Sequence, residues 1–596
     1  MKTKLFLGAA AAAVALGGVT MTATSVSDDD AALPFLHPLA IARSLCGENP
    51  DGLAKRRAFF VSAAKAYAQA TEEPQNMDNM LRSGLGDIAY AITTSEPEAQ
   101  AWFDQGLAFT FGFNHTAAVK AFKKAQEIDP KCAMCYWGEA FAYGPNINAP
   151  MFEEAVAPAW TAINKAISLR DNASEKERAL INALGYRYQE MPIADRSKLD
   201  NAFADAMDAV AIEYPDDDMI ASLAAEANMD TQAWDYWGEG GRSPKGRTAR
   251  TISLLEGVLA RNPDYPAAIH LYIHITEASR DPYRAADYAD HLAAVTPGLG
   301  HLVHMPSHTY YRIGRFKESL DHNIDAVAAD ETYLAGADAS ILYEYGYFTH
   351  NIHFAMTSAQ MAGDAETALA MAAKLDEKLP IDMAAAAPWV QPIKAAPYYA
   401  MVQYADPADI LSTESPGDEM PFLKGAWHYA QGEAYVKNGE LLSAMGEAEE
   451  ISSLIAEADF TNLTEGGVPA LDILNIARLT IIARVSAAEG NFSTAIEAME
   501  DAVALQEGIA YTEPPYWYYP AKQTLASMLL QAGKVERAEQ LFLESLTESP
   551  NNAWVLFGLS ETYKAQGDKN GAKYANGLFK DAWLGGKKVH PALAQL

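Results

Sequence analysis

The sequence predicts an all-α fold, a solenoid of stacked helix–turn–helix units, and one recurring interval is the main reason. His270 and His304 are 34 residues apart, as are His274 and His308. This interval is the period of the tetratricopeptide repeat (TPR), a pair of antiparallel helices. A chain of 596 residues is also too long for one compact core. We therefore expect a TPR-like α-solenoid, a superhelix with a concave face.

The first 25 residues have the pattern of a secretory signal peptide. Lys2 and Lys4 give a positive start, Leu5 to Val19 form a short apolar run, and Ala23-Thr24-Ser25 offers a small-residue cleavage site. The run is shorter than a typical membrane span, and no later stretch is apolar enough to cross a bilayer. We expect a soluble protein that is periplasmic or secreted. Residues 26–95 are interpreted as an N-terminal extension.

The region 96–262 opens with a clear repeat. With Gly106 at repeat position 8, Ala118, Phe122 and Ala125 fall at positions 20, 24 and 27, and Pro130 falls at position 32. Two antiparallel helices need small residues where they cross, an aromatic ring in the remaining gap, and a proline after the second helix. The pattern predicts a helical hairpin here.

Residues 150–262 keep the helical periodicity but lose the regular spacing. Ala155 to Leu169 and Lys176 to Tyr188 are predicted amphipathic helices. Trp234 to Arg247 is rich in Gly, Trp and Arg, and we expect it to be a loop over the array.

The repeat returns in strict register in a histidine-rich core, residues 263–390. Its units are 266–299, 300–333 and 349–382, and an insert of about 15 residues, 334–348, precedes the third. The C-terminal array, residues 391–596, carries further units, marked by Gly432, Ala483, Ala526 and Ala572.

Charge and composition exclude some partners. The formal net charge is -33, so phosphate backbones would be repelled and nucleic acid is not an expected partner. A solvated acidic surface that aids solubility explains the same charge. The chain has no Gly-rich phosphate loop, no GxSxG elbow and no paired-carboxylate motif, so kinase, serine-hydrolase and glycosidase activities have no support.

Three cysteines, Cys46, Cys132 and Cys135, cannot all pair within one chain. In an oxidising compartment we expect one structural disulfide and a leftover thiol, rather than a redox or metal role. The pairing is open, and Cys46 with one of the other two is one candidate. Tyr136 follows Cys135 where a c-type haem motif would have His, and a second CxxC for a zinc site is missing.

Seven of the thirteen histidines fall at equivalent repeat positions. The units that begin at residues 266, 300 and 349 carry them at positions 2, 5 and 9, all on the first helix of the repeat. Spacings of three, four and seven place side chains on one helix face, and in TPR arrays the first helices line the concave groove. The predicted metal ligands are His270, His274, His301, His304, His308, His350 and His353.

The expected cofactor is a transition metal. Imidazoles from adjacent helices, about 8–10 Å apart, can converge on one cation. Many imidazoles with few carboxylates suit copper, zinc or iron better than calcium or magnesium. Seven histidines are more than one tetrahedral site needs. The sequence is therefore compatible with two metal ions, or with one metal ion and additional supporting histidines. Glu277, at position 12, is a candidate ligand or catalytic base. Pro306 is expected to kink or tighten the middle helix.

Four segments together resemble a family of exported bacterial TPR proteins: HLVHMPSHTYYRIGRF, HNIHF, CAMCYWGEAFAYGPNINAP and EPPYWYYPAKQTL. The resemblance covers roughly residue 96 to the end. It implies the fold and the histidine motifs and supplies no reaction. The stretch Glu513 to Pro520 is interpreted either as a rigid aromatic turn between repeats or as a lid over a binding groove.

Three functions remain open. The first is a metal-dependent enzyme, an oxidoreductase or a hydrolase, that acts on a small substrate in a histidine-lined concave groove. The second is a scaffold whose groove binds a peptide or a partner protein, with the histidines as polar contacts or a pH switch. The third is metal storage or delivery without turnover. Hydrogen-bonded histidines in a groove for an organic ligand, or purely structural histidines, are the alternatives to a metal site.

Overall fold

The computed structural model describes residues 77–586 and 589–596, and these parts are almost entirely helical. The predicted signal peptide and most of the extension 26–95 lie outside them, as does Cys46. The helices are α1 (Pro97–Phe111), α2 (His115–Ile128), α3 (Ala133–Ala142), α4 (Glu153–Leu169), α5 (Glu175–Gly185), α6 (Arg196–Glu213), α7 (Asp218–Asp230), α8 (Thr248–Arg261), α9 (Pro266–Glu277), α10 (Ala286–Val295), α11 (Gly300–His304), α12 (Pro306–Arg312), α13 (Phe316–Leu334), α14 (Thr349–Ala362), α15 (Ala365–Lys378), α16 (Ile381–Ala386), α17 (Gln391–Tyr404), α18 (Pro407–Leu411), α19 (Pro421–Asn438), α20 (Leu441–Glu457), α21 (Thr461–Glu465), α22 (Ala470–Ala488), α23 (Phe492–Gly508), α24 (Ala521–Gln531), α25 (Val535–Glu548), α26 (Ala553–Gln566) and α27 (Lys569–Ala582).

The first repeat confirms the predicted register. α1 and α2 form a hairpin, and a Cβ atom added to Gly106 would come within 2.6 Å of the Phe122 ring. Gly138 on α3 meets the same ring at 2.4 Å. Phe122 is fully buried, so one aromatic side chain joins two consecutive hairpins through glycines that have no room for a side chain. The fold is a TPR-like α-solenoid, as the repeat interval predicts.

The core repeats also follow the predicted units, with two irregular stretches. The first helix of the second unit is divided into α11 and α12 at Met305 and Pro306, because proline has no N–H to continue the ladder. The insert 334–348 ends in a π-helical turn, Tyr343–Phe348, that runs directly into α14. Both irregular stretches lie beside histidines.

The segment predicted as a loop, Trp234 to Arg247, contains a short hairpin. Strands β1 (Trp237–Gly238) and β2 (Ser243–Pro244) pair antiparallel, and they are the only strand pair in the described parts of the chain. The Trp237 indole donates to the carbonyl of Ile275, at 2.7 Å. This bond fixes the loop over α9.

The expected disulfide joins the two cysteines that are close in sequence, and not Cys46 with one of them. Cys132 and Cys135 are bonded to each other at the start of α3, so Cys46 is not the partner of either. The two sulfur atoms lie three residues apart in sequence, on one helical turn, which places them close without any long-range contact.

The C-terminal hairpins fold back onto the histidine-rich core. The Trp554 indole donates to the carbonyl of Gln360, at 3.0 Å, and Leu584 N–H donates to the carbonyl of Ala362, at 2.8 Å. Gly363 packs against the ring of Trp583. The superhelix therefore closes on the core. Within the described residues, no helix is long and apolar enough to cross a membrane.

Candidate metal centre

All seven predicted histidines lie on the first helices of three successive repeats. α9 carries His270 and His274, α11 and α12 carry the next three, and α14 carries His350 and His353. Five of these side chains are at most 3 % exposed: His270, His274, His301, His304 and His308. Stacking of the repeats has therefore removed a cluster of imidazoles from solvent.

Six of the histidines form two groups of three. Each group offers one ring nitrogen per residue, and within a group these nitrogens lie within 4.8 Å of one another. We call them the first triad (His270, His274 and His301) and the second triad (His304, His308 and His350). The triads adjoin, since the ring centroids of His274 and His308 are 5.6 Å apart.

Glu277 connects the two triads. One carboxylate oxygen accepts a hydrogen bond from Nδ1 of His274 at 3.0 Å, and the other accepts from Nδ1 of His308 at 2.6 Å. The carboxyl group is buried, and its contacts with these two histidines hold its pKa well below its usual range against the opposing effect of burial. Because the carboxylate accepts from Nδ1 of each ring, the neutral form of each ring has its lone pair on Nε2.

A second polar residue fixes His304 in the same way. Its Nδ1 donates to Oδ1 of Asn323 on α13 at 2.6 Å, and the amide nitrogen of Asn323 donates to the carbonyl of Ser319 at 2.7 Å. The amide orientation is therefore set by the helix backbone, and His304 also presents Nε2 as its free donor atom.

These orientations bring lone pairs together. Nε2 of His304 lies 2.9 Å from Nε2 of His308, and Nε2 of His350 lies 3.5 Å from the same atom. If each ring carries a single proton, on Nδ1, the two Nε2 atoms in this short contact are both acceptors and have no hydrogen to share. Two nitrogens about 2.0–2.1 Å from a tetrahedral ion are about 3.3 Å apart, so a cation between them fits this spacing.

Five of the triad imidazoles have lowered pKa values, which favours their neutral form. Burial lowers the pKa of His301, His304 and His350 well below 6.5, and the neighbouring imidazoles lower each of them further. The same two causes act on His270, against a smaller raising effect of the Phe111 carbonyl. Burial also lowers the pKa of His274, against the raising effect of Glu277. Neutral imidazole is the form that binds a metal.

Two of the histidines, His350 and His353, line a cavity, and the other five are buried and do not face an open groove. Aromatic residues from outside the three repeats cover them. The Phe113 ring lies 4.5 Å from that of His270, and the Trp234 ring lies 5.3 Å from that of His274. Tyr511 donates its hydroxyl to Glu277 at 3.2 Å. Segments distant in sequence thus close the concave side.

Phe113 is held in an unusual backbone conformation. It lies in the turn between α1 and α2 with φ of 55°, in the left-handed region that side chains larger than glycine rarely adopt. Its ring also stacks on His301 at 5.2 Å. Backbone strain of this kind concentrates at functional sites.

Two predicted site residues have other positions. His353 belongs to neither triad; it lines a cavity beside His350. Glu277 contacts Nδ1 atoms rather than the Nε2 atoms that face one another, so it positions the triads and is not placed as a ligand.

Three site residues, Asn323, Phe113 and Tyr511, are not indicated by the histidine pattern. Asn323 lies on the second helix of its repeat, where the histidine pattern carries no information. Phe113 and Tyr511 are brought in from other repeats. The stretch around Tyr511 had one signal, its aromatic and proline-rich composition, which was interpreted as a turn or a lid.

Comparisons with known proteins support the repeat. A model of the tetratricopeptide repeat matches residues 99–132. No curated protein matches the sequence. Among solved structures, a human IFIT1 dimer with m7Gppp-AAAA is 11% identical in sequence and has a TM-score of 0.31. That match covers 80% of this chain and 94% of the IFIT1 chain. Yeast Tom70 is 13% identical, with a TM-score of 0.27 and coverage of 89% and 96%.

Proposed function

We propose that this protein binds two transition-metal ions, one in each triad. The single observation that carries the proposal is the approach of His304 and His308: two buried imidazoles, each with Nδ1 directed at an acceptor oxygen, face each other through Nε2 at 2.9 Å. Burial of facing lone pairs is unfavourable without a cation. Nε2 of His270 and His301 approach to 3.1 Å in the first triad.

The donor set supports a catalytic rather than a structural centre. Three nitrogens per ion leave a coordination position open, as in catalytic zinc sites, whereas structural sites are filled by four protein ligands. Imidazole nitrogen suits copper, zinc and iron. We propose a metal-dependent enzyme acting on a small substrate, by oxidation with copper or iron, or by hydrolysis with zinc-activated water.

The proposed location is the periplasm or the extracellular space. Residues 1–25 combine a positive start, an apolar run and a small-residue cleavage site. A disulfide between Cys132 and Cys135 agrees with an oxidising compartment.

Metal content per chain tests the proposal. Untagged protein is loaded in turn with copper, zinc or iron, passed through a desalting column and measured by mass spectrometry. We expect about two ions per chain of the preferred metal, and about one in the His304→Ala/His308→Ala variant, because the first triad is intact. His291→Ala is the control, since His291 is exposed and bonded to Asp264. Substoichiometric metal in the parent protein would contradict the proposal.

Peptide binding is a second candidate, and one contact favours it. A cavity of about 430 Å³ in the C-terminal array is lined in part by residues 592–596. Arg484 donates to the carbonyl of Ala594 at 2.5 Å, and Ser527 donates to that of Leu593 at 2.6 Å. The groove therefore holds the backbone of a chain segment whose residues Leu593–Gln595 form a 3₁₀-helical turn, and grooves that bind backbone in this way can bind peptides.

Add-back of this segment tests peptide binding. A synthetic peptide of residues 589–596 should bind a variant that ends at Pro591, and more weakly after Ser527→Ala. Equal binding with and without Ser527→Ala would contradict this use of the groove.

A further inference from the structure

A cavity of about 240 Å³ lies beside the second triad. α14 forms one wall, the residues from Trp389 to Tyr399 form a second, and the segment 512–518 forms the third. His350 lines the cavity and belongs to the second triad. A molecule in this space would therefore touch a ring of the candidate metal centre.

Three buried polar atoms on the cavity wall lack a hydrogen-bond partner among the described residues. They are Oε1 of Gln360, Oε2 of Glu513 and Nδ1 of His353. Buried polar atoms are nearly always paired in native proteins. Three such atoms around one cavity indicate a ligand that supplies the missing partners.

The orientation of Gln360 determines what it can bind. Its amide nitrogen donates to Oε1 of Gln403 at 2.7 Å, so the free amide atom is the oxygen, an acceptor. Its backbone carbonyl accepts from the Tyr404 hydroxyl at 2.8 Å and from the Trp554 indole. These bonds fix the residue, and the ligand must bring an N–H or O–H donor to it.

Apart from His350, Thr357 and Thr512, the rest of the wall is apolar and largely aromatic. Trp389 is 45% exposed at the edge of the cavity, and the remaining rings and prolines are Tyr399, Tyr516, Tyr518, Pro392, Pro514 and Pro515. Flat rings suit stacking or edge contacts with an aromatic ligand. An engineered apolar cavity of about 150 Å³ holds benzene, so this volume fits one substituted ring.

Charge excludes one class of ligand. Around the cavity, the residues that the structure describes include a carboxyl group, Glu513, and no lysine or arginine. Burial raises the pKa of Glu513 to about 7 against the lowering effect of Arg312, which is not among the lining residues. An anionic ligand would therefore meet a partly ionised carboxyl group with no cation in the wall beside it.

We propose that this cavity binds a single-ring aromatic molecule that carries hydroxyl or amine donors, with its ring against Trp389 and the tyrosines and its donors on Gln360 and Glu513. The ring of the ligand would lie against His350 of the second triad. The role of this ligand as a substrate rests on the proposed metal-dependent function. Binding itself depends only on the cavity.

Calorimetric titration with defined probes tests the proposal. The probes are catechol, phenol, toluene and benzoate, each added to metal-free and metal-loaded protein. We expect catechol and phenol to bind, toluene to bind at least about tenfold more weakly because it has no donor, and benzoate not to bind.

Two variants and one control locate the site. Ile393→Trp, which fills the cavity from its wall, should abolish catechol binding. Glu513→Gln replaces one acceptor oxygen with a donor and should weaken it about tenfold. Glu489→Gln is the control, because Glu489 is exposed on the C-terminal array. Circular dichroism and metal content check the fold of Ile393→Trp, and both are expected to be unchanged.

The outcomes separate this proposal from the metal centre. Catechol binding to metal-free protein with the expected preference supports the cavity site even if no metal is retained. Absence of catechol binding in protein that holds two ions overturns the cavity proposal alone. Equal affinity for toluene and catechol, preference for benzoate, or full binding by Ile393→Trp would each overturn it.

Discussion

At the scale of single residues, Glu277 determines what the histidines can do. One buried carboxylate accepts from one imidazole of each triad and from the Tyr511 hydroxyl. Because the carboxylate accepts from Nδ1, it orients the Nε2 atom of each ring. Carboxylates commonly hold metal-binding histidines in this way. The two triads are therefore coupled through one side chain.

Glu277→Gln is expected to lower metal affinity about 10–100-fold, the usual effect of losing such a partner. The amide keeps one acceptor oxygen, so one of the two Nδ1–H groups would face an NH2 group. Competition with a chromogenic chelator measures the change.

The matched control is Glu447→Gln. Glu447 accepts from Nδ1 of His428 at 2.6 Å, outside both triads. Equal effects of the two substitutions would contradict the special role of Glu277.

The pH dependence of folding gives a test at His353. Burial lowers the pKa of its imidazole from 6.5 to about 4. The unfolded chain therefore binds this proton more tightly, so the stabilising contribution of the neutral ring is full above pH 6.5 and is lost as the pH falls towards 4. Metal-free His353→Gln protein should show a smaller drop in Tm between pH 7 and pH 4.5 than the parent.

The comparison of the two proteins removes opposing effects. Burial raises the pKa of Asp330 to about 7, so this carboxyl group contributes stability with the opposite sign. Its effect is common to parent and variant and cancels in their difference. Parallel Tm profiles would contradict the assignment to His353.

At the scale of helices, two irregular stretches place the rings. The division at Met305 and Pro306 separates His301 and His304 from His308, and the π-helical turn Tyr343–Phe348 precedes His350. π-helical turns recur at functional sites. The proline effect was predictable from sequence. The π-turn was not, because its insert has no repeat register to fix the helix phase.

Substitution of a helical glycine tests the packing of hairpin on hairpin. In Gly138→Ala, the new Cβ would approach the Phe122 ring to 2.4 Å, and overpacking of a core typically destabilises by about 1–3 kcal/mol. Gly446→Ala is the matched control, with no atom within 4 Å of the added Cβ. It should be neutral or stabilising by up to about 1 kcal/mol, because alanine favours helix. Similar Tm changes in both variants would contradict the close packing.

At the scale of the whole molecule, the repeat register was predictable and the closure of the superhelix was not. Equal spacing of 34 residues placed His270 and His304 at equivalent points, and their side chains do share one cluster. Closure depends on contacts such as Trp554 with Gln360 and Phe113 with His270, between segments more than 150 residues apart. Local periodicity carries no signal for such pairs.

The closed form changes the functional expectation. An open groove would suit an extended partner, whereas an enclosed cluster with a 240 Å³ cavity beside it suits a small molecule. Exclusion of water also strengthens the electrostatic interactions of any ion held there.

Anomalous X-ray diffraction at the absorption edge of the retained metal tests the central claim most directly. The account predicts two anomalous peaks per chain, one about 2 Å from the ring nitrogens of each triad. Glu277 would border both triads through Nδ1 atoms and lie outside direct coordination distance. Metal-loaded crystals without a peak at either triad, or with ions only at surface carboxylates, would contradict it.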